Sequence, residues 1–180
     1  YSTDGEARVI CRLADGRETW AELLSQKDPE TLIAARADFI VAHQVYHAER
    51  PDDPHDGAFV PYDTETERQY RRWQVPEAER RGPDHNEGGE RVGMGVFLAR
   101  YVRRNPARAK ELLPVLERYR TFLRTRLQAE DYTTWSQVDH QIRDRLFNYP
   151  WVAQFYLALH GVTGDRKLLT DAYGTMMNCY

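Results

Sequence analysis

The sequence predicts a mainly α protein built of antiparallel helical hairpins, and three observations support this prediction. Apolar residues recur at three- and four-residue spacing in several long stretches, which is typical of amphipathic helices. Residues that favour helix N-termini, such as aspartate followed by proline, precede some of these stretches. The connections between the predicted helices alternate between long and short, and a short connection implies that its two helices run antiparallel.

Five helices are predicted along the chain. The first covers residues 29–49, with Asp28 at its N-cap and Pro29 at its first position. The others are predicted at residues 88–104, at residues 107–128, from near Pro150 to about Val162, and after the turn at Gly164 and Asp165.

Two segments outside the helices favour short β-hairpins. Residues 8–18 contain two extended runs around an Asp-Gly turn, and residues 19–26 are predicted to form a short helix. The connection at residues 50–87 is too rich in aromatic residues for a disordered linker. Within it, residues 58–76 are predicted to form a second hairpin, with AFVPYD and YRRWQV as the strands.

The alternation of connections places all the long ones at one end of the helical bundle. Two polar clusters, residues 84–91 and 131–151, lie in long connections and precede or reach the N-termini of predicted helices. A helix N-terminus offers free N–H groups and a partial positive charge, which suit anionic ligands. The sequence therefore predicts a functional site at this end of the bundle.

Composition narrows the class of protein. The chain of 180 residues is 41% apolar and 29% charged, which indicates a soluble globular domain, and we expect one domain that is a segment of a larger one. The net charge of −3 argues against a nucleic-acid partner, and no apolar run predicts a membrane span. Cys11 and Cys179 are too few for a disulfide scaffold or a cysteine zinc site. Whether they pair, the oligomeric state and the localisation (periplasmic, secreted or cytoplasmic) stay open.

The first polar cluster lies in the stretch DHNEGGERVGMG. His85, Asn86, Glu87, Glu90 and Arg91 follow one another closely before a predicted helix. Helix capping by the asparagine and the early acids explains part of this pattern. A histidine, a glutamate and an arginine at one helix end can also exchange protons and hold a carboxylate, so these residues form a candidate site.

Two further patterns have a structural explanation. Gly93 and Gly95 reduce helix propensity, and they indicate an inner helix that its neighbours approach closely. His43 and His47 are four residues apart, a spacing that can bind a metal. Ordinary packing explains this pair as well, and we predict neither a metal site nor a cofactor.

The second polar cluster lies in the stretch YTTWSQVDHQIRDR. It contains Trp135, Asp139, His140 and Arg143, and an irregular loop with solvated charges would explain them. Under the functional interpretation, Trp135 stacks on a sugar ring and Asp139 or His140 is an acid/base partner.

A third cluster, FNYPWVAQFYLALHGVTGD, is rich in aromatic residues near the start of the fourth helix. Most of these residues are expected to pack in the core. Tyr149 is predicted to be the exception, at the mouth of the site, with Trp151 beside it.

The stretches DHNEGGERVGMGVFLARY and NYPWVAQFYLALHGVTGD resemble segments of bacterial (α/α) toroid enzymes, the six-hairpin glycosidases and related polysaccharide lyases. Among these, uronate-acting, β-glucuronidase-like glycoside hydrolases are the most similar. The resemblance extends over about residues 28–180. It implies that the chain is a segment of an (α/α) toroid, and that partners of the active site can lie outside it.

The resemblance also implies a glycoside hydrolase that acts on an acidic oligosaccharide or polysaccharide, cutting at a uronic acid. Glycosidases use two carboxyl groups beside the bond, here Glu87 as the acid and Asp139 as the second carboxylate. His85 and His140 would assist catalysis by tuning pKa values or would bind sugar hydroxyls. Arg91 and Arg143 would hold the uronate carboxylate, and the cleft would be lined by Trp135, Tyr149 and Trp151.

Three alternatives remain. A polysaccharide lyase of the same fold would use Tyr149 or His85 as the base, while Asn86 and Arg91 neutralise the uronate carboxylate. A sugar epimerase would use His85 and His140 as paired bases. A non-catalytic helical scaffold or binding module would need none of these roles, and its polar clusters would be helix caps and solvated loops.

Overall fold

The computed structural model describes residues 5–25, 27–82, 84–140 and 145–179. The chain forms two compact units, which divide after Arg36. It is mainly α, as predicted. Its strands and α-helices are β1 (Gly5–Arg12), β2 (Glu18–Ser25), α1 (Pro29–Phe39), β3 (Tyr62–Asp63), β4 (Arg68–Gln69), α2 (Val92–Arg104), α3 (Ala109–Phe122), α4 (Asn148–Thr163) and α5 (Lys167–Met177).

The first unit contains the hairpin of β1 and β2. The strands are antiparallel, and their turn places Gly16 at a φ of 84°, a conformation that glycine adopts without strain. The hairpin predicted at residues 8–18 is confirmed, and its strands extend further. The short helix predicted at residues 19–26 is wrong, because β2 extends over Glu18–Ser25. Cross-strand pairs such as Ile10 with Trp20 stabilise the extended conformation there.

The first helix is shorter than predicted. The prediction covered residues 29–49, whereas α1 ends at Phe39 and a π-helical turn continues it over Ile40–Gln44. The chain then leaves the helix because the backbone of residues 44–46 exchanges hydrogen bonds with residues 57–60. A pairing partner that is distant in sequence therefore overrides the local helical pattern.

The second predicted hairpin is small. Strands β3 and β4 pair antiparallel over two residues each, so a hairpin within residues 58–76 is confirmed. The strand predicted at YRRWQV is wrong, because a 3-10 turn occupies Arg72–Gln74.

The four later helices form antiparallel hairpins as predicted. Helix α2 follows a 3-10 turn at Gly89–Arg91, and α3 lies between a 3-10 turn at Pro106–Arg108 and a π-helical turn at Leu123–Leu127. Helix α2 packs against α3 and α4, and α4 packs against α5. Among the described residues, no helix combines the length and the apolar character that crossing a bilayer requires.

An aromatic cluster occupies the centre of the second unit. The ring of Tyr119 lies 4.3 Å from that of Phe59 and 5.2 Å from that of Phe155, measured between centroids. A Cβ atom at Gly95 would lie 2.8 Å from both Tyr119 and Phe155. The close approach predicted for Gly95 is therefore confirmed. At Gly93 a Cβ atom would meet no other atom within 4 Å, so close packing does not explain that glycine.

Candidate functional site

The two polar clusters predicted to share one end of the bundle are in contact. The N–H of Gly89 donates to the carbonyl of Ser136 at 3.0 Å, and the amide of Asn148 donates to the hydroxyl of the same serine at 2.8 Å. A Cβ atom at Gly88 would lie 1.6 Å from the Ser136 carbonyl oxygen, so only glycine permits this approach. Glycines 88 and 89 thus allow the loop before α2 to lie directly against the loop before α4.

Glu87 stands at this junction. Its side chain is buried, with the residue 4% exposed, and its Oε1 accepts a hydrogen bond from the N–H of Val138 at 2.9 Å. A buried carboxylate needs such a donor, because burial without hydrogen bonds carries a large desolvation cost. The bond also holds Glu87 beside Gln137 and Asp139.

These residues form one wall of a cavity of about 420 Å³. Its volume lies within the range of ordinary ligand pockets, about 300–1,000 Å³. The other wall belongs to the long connection between α1 and α2. The lining residues are Glu87, Gln137, Val138 and Asp139 on the first wall, and Pro54, His55, Arg72, Trp73 and Arg80 on the second.

A hydrogen-bonded chain holds His55 in the cavity wall. Asp53 Oδ1 lies 3.0 Å from His55 Nδ1 and accepts the His55 backbone N–H at 2.9 Å. The other carboxylate oxygen of Asp53 accepts a hydrogen bond from the Tyr46 hydroxyl at 2.7 Å. Burial favours a higher pKa for Asp53, but the hydrogen bonds from His55 and Tyr46 outweigh it and lower the pKa.

The ionisation of Asp53 decides which nitrogen of the His55 ring carries a proton. An ionised carboxylate only accepts hydrogen bonds, so Nδ1 of His55 must carry the proton. In the neutral ring, Nε2 then holds the lone pair and can accept a proton. The pKa of Tyr46 is raised, first by burial and then by its bond to the negative Asp53, which keeps the phenol in its donating form.

Trp73 fixes the plane of the same imidazole. The two rings are stacked, with centroids 3.8 Å apart and an angle of 5° between their planes. The indole also contacts the Tyr46 ring edge-on at 5.2 Å. The stacking on Trp73 thus fixes the plane of the His55 ring, and the contact of Nδ1 with Asp53 fixes its rotation within that plane.

Two arginines supply positive charge on the same wall. Arg72 donates to the carbonyl of Arg81 at 2.6 Å, and Arg80 donates to the carbonyl of Val75 at 3.0 Å. A neutral carbonyl positions a guanidinium without cancelling its charge. The two side chains are therefore suited to an anionic group in the cavity.

Gln137 adds a polar group on the opposite wall. The residue is 3% exposed, and its Oε1 has no hydrogen-bond partner among the described residues. A buried carbonyl without a donor is costly, so this oxygen is suited to a ligand hydroxyl.

The structure separates the predicted site residues. Glu87 and Asp139 line the cavity together, whereas His85 does not line it. The exposed His85 ring lies edge-on to Tyr70 at 6.2 Å. Asn86 is buried, and its Oδ1 accepts the N–H of Gly88 at 2.8 Å, which stabilises the turn. The position of Asn86 is therefore explained by loop structure.

Arg91 also contributes to the loop. Its guanidinium donates to the carbonyl of Asp84 at 3.1 Å, and burial lowers its pKa. It does not line the cavity, where Arg72 and Arg80 stand instead. Arg143 lies outside the described residues.

Trp135 and His140 stack on each other, with ring centroids 3.8 Å apart. The imidazole covers one face of the indole, and His140 Nε2 lies 2.8 Å from the carbonyl oxygen of Arg126. His140 also has a φ of 56°, a left-handed conformation that a turn imposes. This arrangement departs from the predicted roles, because neither ring lines the cavity.

Tyr149 and Trp151 lie in different surroundings. Tyr149 was expected at the mouth of the site, but it is 3% exposed and its hydroxyl accepts the N–H of Thr134 at 3.3 Å. The start of α4 turns this side chain into the core. Trp151 is 39% exposed and lines a second, smaller cavity.

Five residues of this site were not predicted from the sequence: His55, Asp53, Arg72, Trp73 and Arg80. All five belong to the connection between α1 and α2, which was recognised only as too aromatic for a linker. The run DDPHDG, with an aspartate two residues before a histidine, was the available signal. Its meaning depends on contacts with residues that are distant in sequence.

The chain is similar to a solved polysaccharide lyase. The two are 36% identical and superpose with a TM-score of 0.87, over 98% of this chain and 25% of the lyase chain. The chain thus spans about a quarter of that lyase. No family model matches the sequence, and no curated protein matches it.

Proposed function

We propose that this chain carries part of the active site of a polysaccharide lyase, which cleaves a uronate-containing glycan by β-elimination in the cavity of His55. The similarity to a solved polysaccharide lyase supports this class over hydrolysis. The observation that carries the proposal is the position of His55. It lines the cavity together with two arginines, and Asp53 holds its Nδ1.

In this reaction His55 is the base. Its Nε2 lone pair takes the proton from the carbon beside the uronate carboxylate. The electrons of that C–H bond form a C=C bond, and the adjacent C–O bond to the next sugar breaks. The departing oxygen takes up a proton from water or from the imidazolium. The reaction consumes no net water and needs no oxidant.

The two arginines make the proton on the carbon beside the uronate carboxylate more acidic. A carboxylate withdraws electrons poorly while it is negative, and a cation beside it stabilises the enolate-like charge that develops. Arg72 and Arg80 are placed to bind this carboxylate, and their bonds to backbone carbonyls hold them in position. They take the role that the sequence analysis gave to Asn86 and Arg91.

Hydrolysis is the second candidate, because Glu87 and Asp139 line the same cavity. A glycosidase uses two carboxyl groups beside the bond that it cleaves. In the lyase, Glu87 instead accepts the Val138 N–H and shapes the wall beside Gln137.

The test is a product analysis with the intact protein. It is incubated with polysaccharides rich in glucuronate or galacturonate, and with the same polymers after chemical reduction of their carboxyl groups. We expect products with a new C=C bond, seen by ultraviolet absorbance and mass, from the unreduced polymers only.

The alternative outcomes are distinct. Saturated products that incorporate heavy oxygen from labelled water would establish hydrolysis and overturn the lyase proposal. Equal cleavage of the reduced polymers would overturn the role of the two arginines. Absence of both activities across the panel would favour a non-catalytic binding module.

A further inference from the structure

A second cavity, of about 210 Å³, lies between α2 and α4. It is smaller than the usual range for drug-sized ligands, about 300–1,000 Å³, so its size suits one sugar ring. Its lining residues are Gly89, Glu90, Val92, Gly93, Val96, Trp151 and Gln154. The first cavity is on the same loop, since Glu87 lines it.

Gly93 forms an open part of this cavity. A glycine within a helix costs about 1 kcal/mol relative to alanine, so its presence needs a reason. Gly95, two residues later, has one, because a Cβ atom there would meet the rings of Tyr119 and Phe155. A Cβ atom at Gly93 would meet nothing within 4 Å. The missing side chain therefore leaves empty space in the cavity, not room for a neighbouring helix.

Glu90 supplies a polar group. One carboxyl oxygen accepts a hydrogen bond from Arg145 at 2.6 Å. The other oxygen, Oε2, is buried and has no hydrogen-bond partner among the described residues. Burial, above all, raises the pKa of this carboxyl group. A buried acceptor without a donor is destabilising, and a hydroxyl group from a ligand would relieve that cost.

Trp151 supplies a flat apolar surface. The indole is 39% exposed, and the ring of Phe147, with its centroid at 4.8 Å, supports it. The face of an aromatic ring is electron-rich, so it attracts the C–H groups on one face of a pyranose ring. The cavity thus combines a stacking surface at Trp151, a hydrogen-bond acceptor at Glu90 and open space at Gly93.

We infer that this cavity binds one neutral pyranose ring of the polysaccharide. That the ring belongs to the same glycan rests on the proposed function. The charge of the lining residues favours a neutral ring. The seven lining residues include one carboxyl group and no basic side chain, whereas in the first cavity two arginines balance the two carboxyl groups of Glu87 and Asp139. Arg145 is shared between the carboxyl groups of Glu90 and Asp84, so these three side chains together keep a net negative charge. A uronate ring would bring a further carboxylate beside Glu90 and be repelled.

The test measures sugar binding to the intact protein without turnover. D-glucose and D-galactose are each titrated into the protein, and so are D-glucuronate and D-galacturonate. Each uronate differs from its neutral sugar only in having a carboxylate at C6. The indole N–H resonance of Trp151 is followed by NMR. We expect one neutral sugar to shift this resonance, with about tenfold or higher affinity than its uronate, a difference of about 1.4 kcal/mol.

Gly93→Leu fills the cavity without removing a contact, and leucine favours the helix over glycine. We expect it to abolish the shift. Arg100→Leu, at an exposed position on the same helix, is the matched control and should leave binding unchanged. If Gly93→Leu does not fold, Glu90→Gln decides, because removing the negative charge should raise the affinity of the uronate toward that of the neutral sugar.

Equal binding of both sugar types, no binding of either, or unchanged binding in Gly93→Leu would overturn the inference. These outcomes are independent of the cleavage assay, because no product is measured. Cleavage without neutral-sugar binding would refute the sugar site in the second cavity and leave the lyase proposal intact. Binding without cleavage would refute the lyase proposal and retain the sugar site.

Discussion

The Asp53 carboxylate lies 3.0 Å from Nδ1 of His55, and the hydroxyl of Tyr46 donates to the same carboxylate. This arrangement gives a histidine of the cavity wall a defined tautomer. Tyr46, Asp53 and His55 lie within ten positions of the sequence, and the first two orient the third as a base. Substitution of each residue therefore tests the proposed chemistry.

The base itself is tested by His55→Ala. We expect kcat to fall about a hundred- to ten-thousand-fold, the usual contribution of general base catalysis. His43→Ala, an exposed histidine outside this cavity, is the control and should retain activity. His85→Ala discriminates between the two assignments. A loss in His85→Ala without a loss in His55→Ala would restore the site that the sequence predicted.

Asp53→Asn tests the positioning of the base and its dependence on pH. Because the pKa of Asp53 is lowered in the folded state, its ionised form stabilises the fold above the unfolded pKa, about 3.9. That stability is lost as the pH falls through the lower, folded pKa. We expect the wild type to lose more unfolding free energy than Asp53→Asn on acidification, measured by urea denaturation across a pH series.

The same variant should lower kcat. The amide can present its N–H to Nδ1 and favour the wrong tautomer, so activity should fall while substrate affinity changes little. Equal pH dependence of stability in both proteins would show that Asp53 is not ionised in the way described.

Glu87 is tested by a pair of substitutions. Glu87→Ala leaves the part-buried N–H of Val138 without its acceptor, and we expect a loss of about 1 kcal/mol of stability. Glu87→Gln keeps an acceptor and should fold nearly as well. In the lyase this variant retains most activity, whereas in a glycosidase with Glu87 as the acid it would be inactive. A cleavage assay of the folded Glu87→Gln protein therefore separates the two mechanisms.

The two glycines of α2 are expected to respond in opposite ways to alanine. Gly95→Ala places a methyl group 2.8 Å from two aromatic rings, and overpacking of this kind costs about 1–3 kcal/mol. Gly93→Ala meets open space and should stabilise the helix by up to about 1 kcal/mol. Chemical denaturation of both variants measures the difference. Equal effects would contradict the distinct surroundings of the two positions.

The helical hairpins and the end of the bundle that carries the polar loops were predictable from the sequence. The apolar spacing in α2, α3 and α4 is local information, and short connections leave little choice of direction. The close approach at Gly95 also followed, because a glycine inside a strong helix needs a reason.

The positions of individual site residues were harder to predict from the sequence than the helices. Glu87 and Asp139, predicted as partners in one site, line the same cavity, since both loops end at the same side of the bundle. Their catalytic role stays a prediction. Tyr149 was placed at the mouth because it precedes an aromatic helix, but the rotation of α4 turns it into the core. The residue at which a helix begins does not specify how the helix is rotated about its own axis, because that rotation depends on packing.

The sequence by itself determined the mainly α class, the order of the hairpins and the meeting of the two polar loops, because each depends on local periodicity and connection length. Only the tertiary structure decided that His55, held by Asp53, lines the cavity and His85 does not. It also decided that α1 ends where residues 44–46 pair with residues 57–60. Such contacts join residues that are distant along the chain. Their free energy depends on three-dimensional packing, which no local pattern encodes.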